Sequence, residues 1–164
     1  MKIVCGCDPD SKAHGIAIFK DGVLDQLDQL PLMDIIAFIE EMRRNPHIEL
    51  LFSIENVMAN QFIYSSRMAR AENSGDAAAR IAGKMGMGVG RCQQAFVELE
   101  RVLIHYGVKY VTYKPDKSNW AKAKDKPTFE RLTGWKGRSN EETRSASFFG
   151  YLALDKNPHD ILPF

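Results

Sequence analysis

The sequence predicts an α/β protein with a mixed five-stranded sheet, whose first three strands are antiparallel and which is flanked by helices. Three observations support this class. Short apolar runs recur along the chain and end at glycine, proline or an acidic residue. The first three runs follow one another closely, and the later ones alternate with segments of helical periodicity. At 164 residues the chain fits one domain with a sizeable core.

The first three strands are predicted over residues 2–8, 15–20 and 23–27. Pro9 cannot donate a backbone hydrogen bond to a sheet, so the first strand should end at Asp8. Asp21 and Gly22 form a two-residue turn of the kind that joins antiparallel strands. These segments predict an antiparallel meander.

The remaining elements alternate between helix and strand. Apolar residues recur at helical spacing over residues 33–44, and Asn45-Pro46 ends that helix. A short buried strand is predicted over residues 50–54, with Glu55 at its end. A long helical region over about residues 75–105 follows, then a fifth strand over 108–113. The chain from Ser118 onward is predicted to be helical, with a glycine-rich break at residues 134–137.

Charge and cysteine content limit the possible functions. The 22 basic and 21 acidic residues nearly balance, so binding to nucleic acid would need a local basic surface. No apolar run approaches the roughly 18 residues that span a membrane. The N-terminus has no signal-peptide pattern, so a soluble, cytoplasmic protein without a membrane partner is predicted. A zinc site of Cys5, Cys7, Cys92 and His14 would lack a second tight ligand pair, which favours reduced, packed thiols.

Two carboxylates, Asp8 and Glu55, each stand at the carboxyl end of a predicted buried strand. Such strand ends often meet in the crevice where α/β proteins bind ligands, and carboxylate oxygens suit magnesium. Asp8 could instead be a turn residue that bonds its own backbone. Glu141, Glu142 and Asp160 are candidates for a third ligand, although acids in a first helical turn also cap amides and suit the helix dipole.

Five segments carry a resemblance to a known family. In order, they are Gly6-Cys7-Asp8-Pro9-Asp10-Ser11 with Gly15, Ile54-Glu55-Asn56-Val57, the small-residue helix over 83–91, Tyr113-Lys114-Pro115, and residues 137–140. They resemble the RuvC-like Holliday junction resolvases over nearly the whole chain. The resemblance implies a ribonuclease H-like fold and one nuclease domain over residues 1–164. It also implies a magnesium-dependent endodeoxyribonuclease that cuts crossover junctions in DNA recombination and repair.

The resemblance assigns roles to the acids. Four acids bind magnesium in that family: one in the first strand, one ending the fourth strand, and a pair in a C-terminal helix. Asp8 and Glu55 match the first two, and Asp160 is expected to be the third metal ligand. The implied mechanism is phosphodiester hydrolysis with two Mg²⁺ ions, for which Mn²⁺ is expected to substitute.

The family's last acid would fall at Pro163, just before the sequence ends at Phe164. Three alternatives are open at this point. The C-terminus is truncated, or Glu142 or Glu141 completes the catalytic site, or the protein binds junctions without cutting them efficiently. Glu142 is the candidate that we carry forward as the fourth catalytic acid.

Basic and aromatic side chains on either side of the acids are predicted to contact branched DNA, with basic residues binding phosphates and aromatic residues stacking on an unpaired base. Individually, the basic residues could be solvated charges and the aromatic residues could cover the core. The predicted contacts are Phe62, Tyr64, Arg67, Arg70, Lys84, Lys122, Lys136 and Arg138.

A homodimer is expected because a four-way junction has near two-fold symmetry. An apolar stripe on the long helix could form the dimer contact, but it could equally pack on the sheet. It comprises Ala82, Met85, Val89, Cys92, Phe96 and Leu99. Two other functions compete with a junction resolvase: a non-catalytic module that binds branched DNA, and a ribonuclease H-like nuclease that cuts RNA–DNA hybrids. Substrate tests separate these functions.

Overall fold

A computed structural model of the chain describes residues 1–60 and 76–155. The first half of this region contains strands β1 (Lys2–Asp8), β2 (His14–Lys20) and β3 (Val23–Leu30), helix α1 (Leu32–Arg43) and strand β4 (Glu49–Glu55). A 3₁₀ turn covers Val57–Asn60. Helix α2 (Asp76–Tyr106), strand β5 (Lys109–Tyr113), a 3₁₀ turn (Ala123–Asp125) and helices α3 (Lys126–Thr133) and α4 (Glu141–Leu152) follow.

The five strands form one mixed sheet in the order β3-β2-β1-β4-β5. Strands β1, β2 and β3 pair antiparallel, whereas β4 runs parallel to both β1 and β5. The predicted fold class and the antiparallel meander are therefore confirmed. A parallel β1–β4 pair places the carboxyl ends of both strands at one edge of the sheet, which is where Asp8 and Glu55 lie.

Each face of the sheet has its own core. Odd-numbered residues of β1 and even-numbered residues of β4 pack with Ile35 and Ile39 of α1 and with Phe96, Leu99 and Leu103 of α2. The opposite face carries Val4 and Phe19, which pack with Phe148 and Phe149 of α4 and with Trp120. The described part of the chain is thus a three-layer α/β/α sandwich, with α4 on the face toward which Asp8 points.

Strand β3 extends to Leu30, three residues beyond the predicted end at residue 27. Asp28 and Gln29 are polar, so no apolar pattern marks them as part of a strand. However, β3 is an edge strand with mostly exposed side chains, and its backbone continues to pair with β2 as far as His14 opposite Leu30. Pairing rather than polarity decides the end of this strand, and the extra residues bring Gln29 to the end of the sheet where the acids lie.

Helix α2 divides the predicted apolar stripe in two. Phe96 and Leu99 are buried in the core, whereas Met85 is 47% exposed. Met87, which was not part of the predicted stripe, is 60% exposed. The stripe therefore packs on the sheet only in its C-terminal half. The side chain of Ala82 lies outside the described part of the helix.

The three cysteines are free, and Cys5 and Cys7 are buried in the core. In the described parts of the chain, residues 1–60 and 76–155, no helix is long and apolar enough to cross a membrane.

Candidate acidic active site

Asp8 and Glu55 follow the last register pair of the parallel strands, Cys7 opposite Ile54. Neighbouring residues at matched positions of parallel strands point to the same face, so the two carboxyl groups meet. Asp8 and Glu55 share a side-chain hydrogen bond, and Glu55 is only 9% exposed. The predicted convergence of the two strand ends is therefore present in the structure.

Burial and mutual repulsion govern the charge of this pair. Desolvation raises the pKa of Glu55, and the Asp8 charge and hydrogen bond raise it further. Desolvation also raises the pKa of Asp8, while hydrogen bonds from Ser145 and Glu55 oppose that rise. The pair therefore retains a proton between its two carboxyl groups. Among residues 1–60 and 76–155, no lysine, arginine or histidine forms an ion pair with either acid.

Helix α4 brings a third acid to the pair by an unusually close approach to the sheet. A Cβ atom on Gly6 would stand 2.7 Å from the backbone nitrogen of Gly150, and one on Gly15 would stand 2.5 Å from the carbonyl oxygen of Glu142. The helix can cross β1 and β2 this closely only because these positions have no side chains. Gly15 is the register partner of Asp8, so the backbone of Glu142 lies directly beside Asp8.

Glu142 is half-buried and lies close enough to Asp8 for their charges to interact. Its charge raises the pKa of Asp8, and desolvation together with Asp10 and Glu141 raises its own pKa. The N-terminus of helix α4 is capped by residues other than Glu142. The Asn140 side chain accepts from the backbone nitrogen of Thr143 at 2.8 Å, and the Thr143 hydroxyl accepts from the Asn140 backbone at 3.0 Å.

Glu142 is held by a residue that the sequence did not single out. Gln29 of β3 donates through Nε2 to Oε2 of Glu142, and its Oε1 accepts from Nδ2 of Asn140 at 2.9 Å. Gln29 therefore ties the third acid to the N-cap of its own helix. Glu141, one residue earlier, is exposed, and no hydrogen bond or ion pair holds its side chain among the described residues.

Ser145 interacts with Asp8 from the next turn of α4. Its oxygen accepts a hydrogen bond from Nδ2 of Asn119 at 3.0 Å, which leaves the hydroxyl proton free to be donated to Asp8. Asn119 is fixed by its neighbour Trp120, which is 2% exposed and has a positive φ of 60°. The buried Arg144 holds the same loop by donating to the carbonyl oxygen of Trp120 at 3.0 Å.

Asp10 is a fourth carboxylate near the site. It raises the pKa of both Asp8 and Glu142 through its charge, and its Oδ2 lies 3.9 Å from the Cys92 sulfur of α2. Asp10 stood inside the Asp8-Pro9-Asp10 segment, but nothing in that segment showed that the β1–β2 loop folds back over α2. Register and helix packing, which are non-local, decide its position.

The other predicted residues are placed as follows. Arg138 is exposed and lines a cavity of about 300 Å³ together with Asn140 and with Gln29, the residue that donates to Glu142. Lys122 is exposed and follows the Asn119 loop, whereas Lys84 and Lys136 are exposed with no contact to the acids in the part of the chain that the structure describes. Asp160, Phe62, Tyr64, Arg67 and Arg70 lie outside the described residues.

The donor set suits a hard cation, although the side chains are not gathered around one. Buried carboxylate oxygens are ligands of the type that Mg²⁺ and Mn²⁺ prefer. As they stand, no three histidine, cysteine, aspartate or glutamate side chains among the described residues form a ready metal site, which includes the zinc set Cys5, Cys7, Cys92 and His14.

The strand order and the flanking helices define an α/β protein with a ribonuclease H-like fold. Comparison with solved structures identifies the particular fold. The RuvC protein of Thermus thermophilus in complex with a Holliday junction substrate superposes with a TM-score of 0.51 at 17% sequence identity, covering 91% of this chain and 90% of that one. A second Thermus thermophilus RuvC structure has a TM-score of 0.47 at 14% identity, with the same coverage.

No protein-family model and no curated protein matches the sequence. The superposition on the first RuvC structure establishes that this chain has the RuvC fold, as its sequence motifs predicted.

Proposed function

We propose that the chain is a structure-selective endonuclease that resolves four-way junctions or other branched DNA by metal-dependent hydrolysis of phosphodiester bonds. One observation carries the proposal: Asp8 and Glu55 form a buried acid pair without a cationic partner among the described residues, and the close crossing of α4 places Glu142 beside it. The RuvC protein with the same fold was solved in complex with a Holliday junction substrate, which supports this choice of substrate.

In this proposal Asp8 and Glu55 hold a divalent cation, Mg²⁺ with Mn²⁺ as a substitute, and Glu142 is the further catalytic acid. Bound cations would supply an activated water and would stabilise the charge on the leaving oxygen. Binding of a cation requires loss of the proton that the Asp8–Glu55 pair holds, because the ionised pair provides the ligand charge. Asp160 stays a predicted ligand, since it lies outside the described residues.

The remaining side chains of the site position these acids. Ser145 donates to Asp8 and favours its ionised form, and Gln29 fixes Glu142 against the helix cap. The exposed residues Arg138, Lys122, Lys84 and Lys136 are proposed to bind phosphates. The predicted contacts Phe62, Tyr64, Arg67 and Arg70 stay part of the same proposal.

A homodimer is proposed because paired cuts on a near-symmetric junction require two sites. The N-terminal half of α2 supports it: Met85 and Met87 are exposed, although apolar side chains of this size are usually covered. The same half carries Gly83, Gly88 and Gly90, where an added Cβ would meet nothing within 4 Å, so the surface is open to a second helix.

The test is nicking of a synthetic four-way junction, with linear duplex and RNA–DNA hybrid as control substrates, with and without Mg²⁺. The wild-type chain should cut the junction selectively and only with metal, and Asp8→Asn should not cut it. Tight junction binding without any cleavage would contradict the proposal and favour a binding module. Preferred cleavage of the hybrid would instead favour another ribonuclease H-like nuclease.

A further inference from the structure

A groove of about 330 Å³ lies between the β1–β2 loop and helix α2, next to the acidic site. It is lined by Ser11, Lys12, Arg91, Gln94, Ala95 and Glu98. Chain connectivity joins it to the site at two points. Asp10, which raises the pKa of Asp8, directly precedes Ser11 in the chain, and Cys92, whose sulfur lies 3.9 Å from Asp10, directly follows Arg91.

The charges of this groove favour an anion. Lys12 and Arg91 are exposed, and neither forms an ion pair among residues 1–60 and 76–155. The single carboxylate of the lining, Glu98, already accepts a hydrogen bond from Nε2 of Gln94 at 3.0 Å. Among the described residues, the two basic side chains therefore have no carboxylate partner, although they lie near an acidic site.

The position of Lys12 is fixed by the same loop that carries the acids. Its backbone nitrogen donates to Oδ1 of Asp10 at 3.0 Å, so the loop cannot move Lys12 away without also breaking the Asp10 turn. Arg91 lies on α2 one turn before Ala95 and Phe96, both of which are buried against the sheet. One side of the groove is thus formed by the β1–β2 loop and the other by helix α2, and both are held in place by these contacts.

We propose that this groove binds a backbone phosphate of the DNA strand that enters the acidic site, flanking the phosphate that is cut. The inference rests on the proposed function and adds a site to it, because the predicted basic contacts lie in other segments of the chain. A polyanion is the fitting ligand. Successive nucleotides of one strand advance only about 3.4 Å along the helix axis, so a strand held at the acids brings further phosphates within reach of Lys12 and Arg91. Lysine and arginine contacts of this kind give affinity without sequence preference.

The test is junction binding by fluorescence anisotropy without divalent metal, over a series of salt concentrations. Lys12→Gln and Arg91→Gln should each weaken binding roughly 3- to 10-fold and lower the slope of log affinity against log salt by about 0.9. Arg91→Lys keeps the charge and should retain most of the slope. Lys109→Gln is the matched control, since Lys109 is exposed but paired with Glu49 at 3.7 Å at the opposite end of the sheet.

The outcomes separate the two proposals. If the wild-type chain binds the junction and both groove variants bind with unchanged affinity and slope, the groove assignment is wrong while the proposed function stands. The same conclusion follows if Lys109→Gln weakens binding as much as the groove variants do. If the wild-type chain does not bind the junction, the proposed function fails and the groove assignment fails with it.

Discussion

Gly6→Ala should move helix α4 away from the sheet. The new methyl carbon would lie 2.7 Å from the nitrogen and 2.9 Å from the Cα of Gly150, and closer still to the carbonyl oxygen of Ala146. Ordinary contact begins at 3.4 Å, and the atoms in the way are backbone, so no side-chain rotation relieves the clash. Helix α4 must therefore shift by about 1 Å, at a cost of about 3 kcal/mol, the upper end of the usual range for overpacking.

The assay is urea unfolding followed by the fluorescence of Trp120, which is buried under the same helix. Gly88→Ala is the matched control, because a Cβ there would meet nothing within 4 Å and alanine favours a helix by about 1 kcal/mol over glycine. The control should be as stable as the wild-type chain or slightly more so. A Gly6→Ala variant that unfolds at the wild-type urea concentration would refute the close crossing, and with it the placement of Glu142 beside Asp8.

Three further predictions follow from the site. First, the raised pKa of Glu55 means that the folded state holds a proton that the unfolded state releases. The free energy of unfolding in the absence of metal should therefore fall by on the order of 2 kcal/mol as pH rises above 4.5 toward neutral. Urea titrations should show this dependence on pH, and Glu55→Gln should flatten it. Second, Ser145→Ala removes a hydrogen bond that favours ionised Asp8 and leaves Nδ2 of Asn119 without its acceptor. The affinity for Mg²⁺ or Mn²⁺, measured by calorimetry, should therefore fall roughly 10- to 100-fold. An unchanged affinity would contradict the role of Ser145 in positioning Asp8. Third, Met87→Glu places a charge on the exposed half of α2 and should convert a dimer into a monomer in sedimentation analysis; an unchanged dimer would locate the interface elsewhere.

The sheet could be predicted because its signals are local. Pro9 ends β1, the Asp21-Gly22 turn joins β2 to β3, and helical periodicity ends before Pro46. Asp8 and Glu55 could be expected at the same end of the sheet because each lies at the carboxyl end of a buried strand. Their direct contact depends on the β1–β4 register, which no local pattern encodes.

The rest of the site could not be predicted because it depends on contacts distant in sequence. Gln29 meets Glu142 across 113 positions, and it does so from a part of β3 that lies beyond the predicted end of that strand. Glu141 and Glu142 are indistinguishable in sequence, and only the packing of α4 against Gly15 decides which one faces Asp8. The glycine pair Gly6 and Gly150 is an equally non-local feature.

The most direct test of the account compares Glu142→Gln with Glu141→Gln in junction nicking with saturating Mg²⁺. The substitutions are isosteric and adjacent in the first turn of α4, but only Glu142 faces Asp8. Loss of a carboxylate that helps to hold the catalytic cations should slow Glu142→Gln by about 100-fold or more, whereas Glu141→Gln should cut within about threefold of the wild-type rate. Equal rates for the two variants would contradict an acidic site formed by Asp8, Glu55 and Glu142.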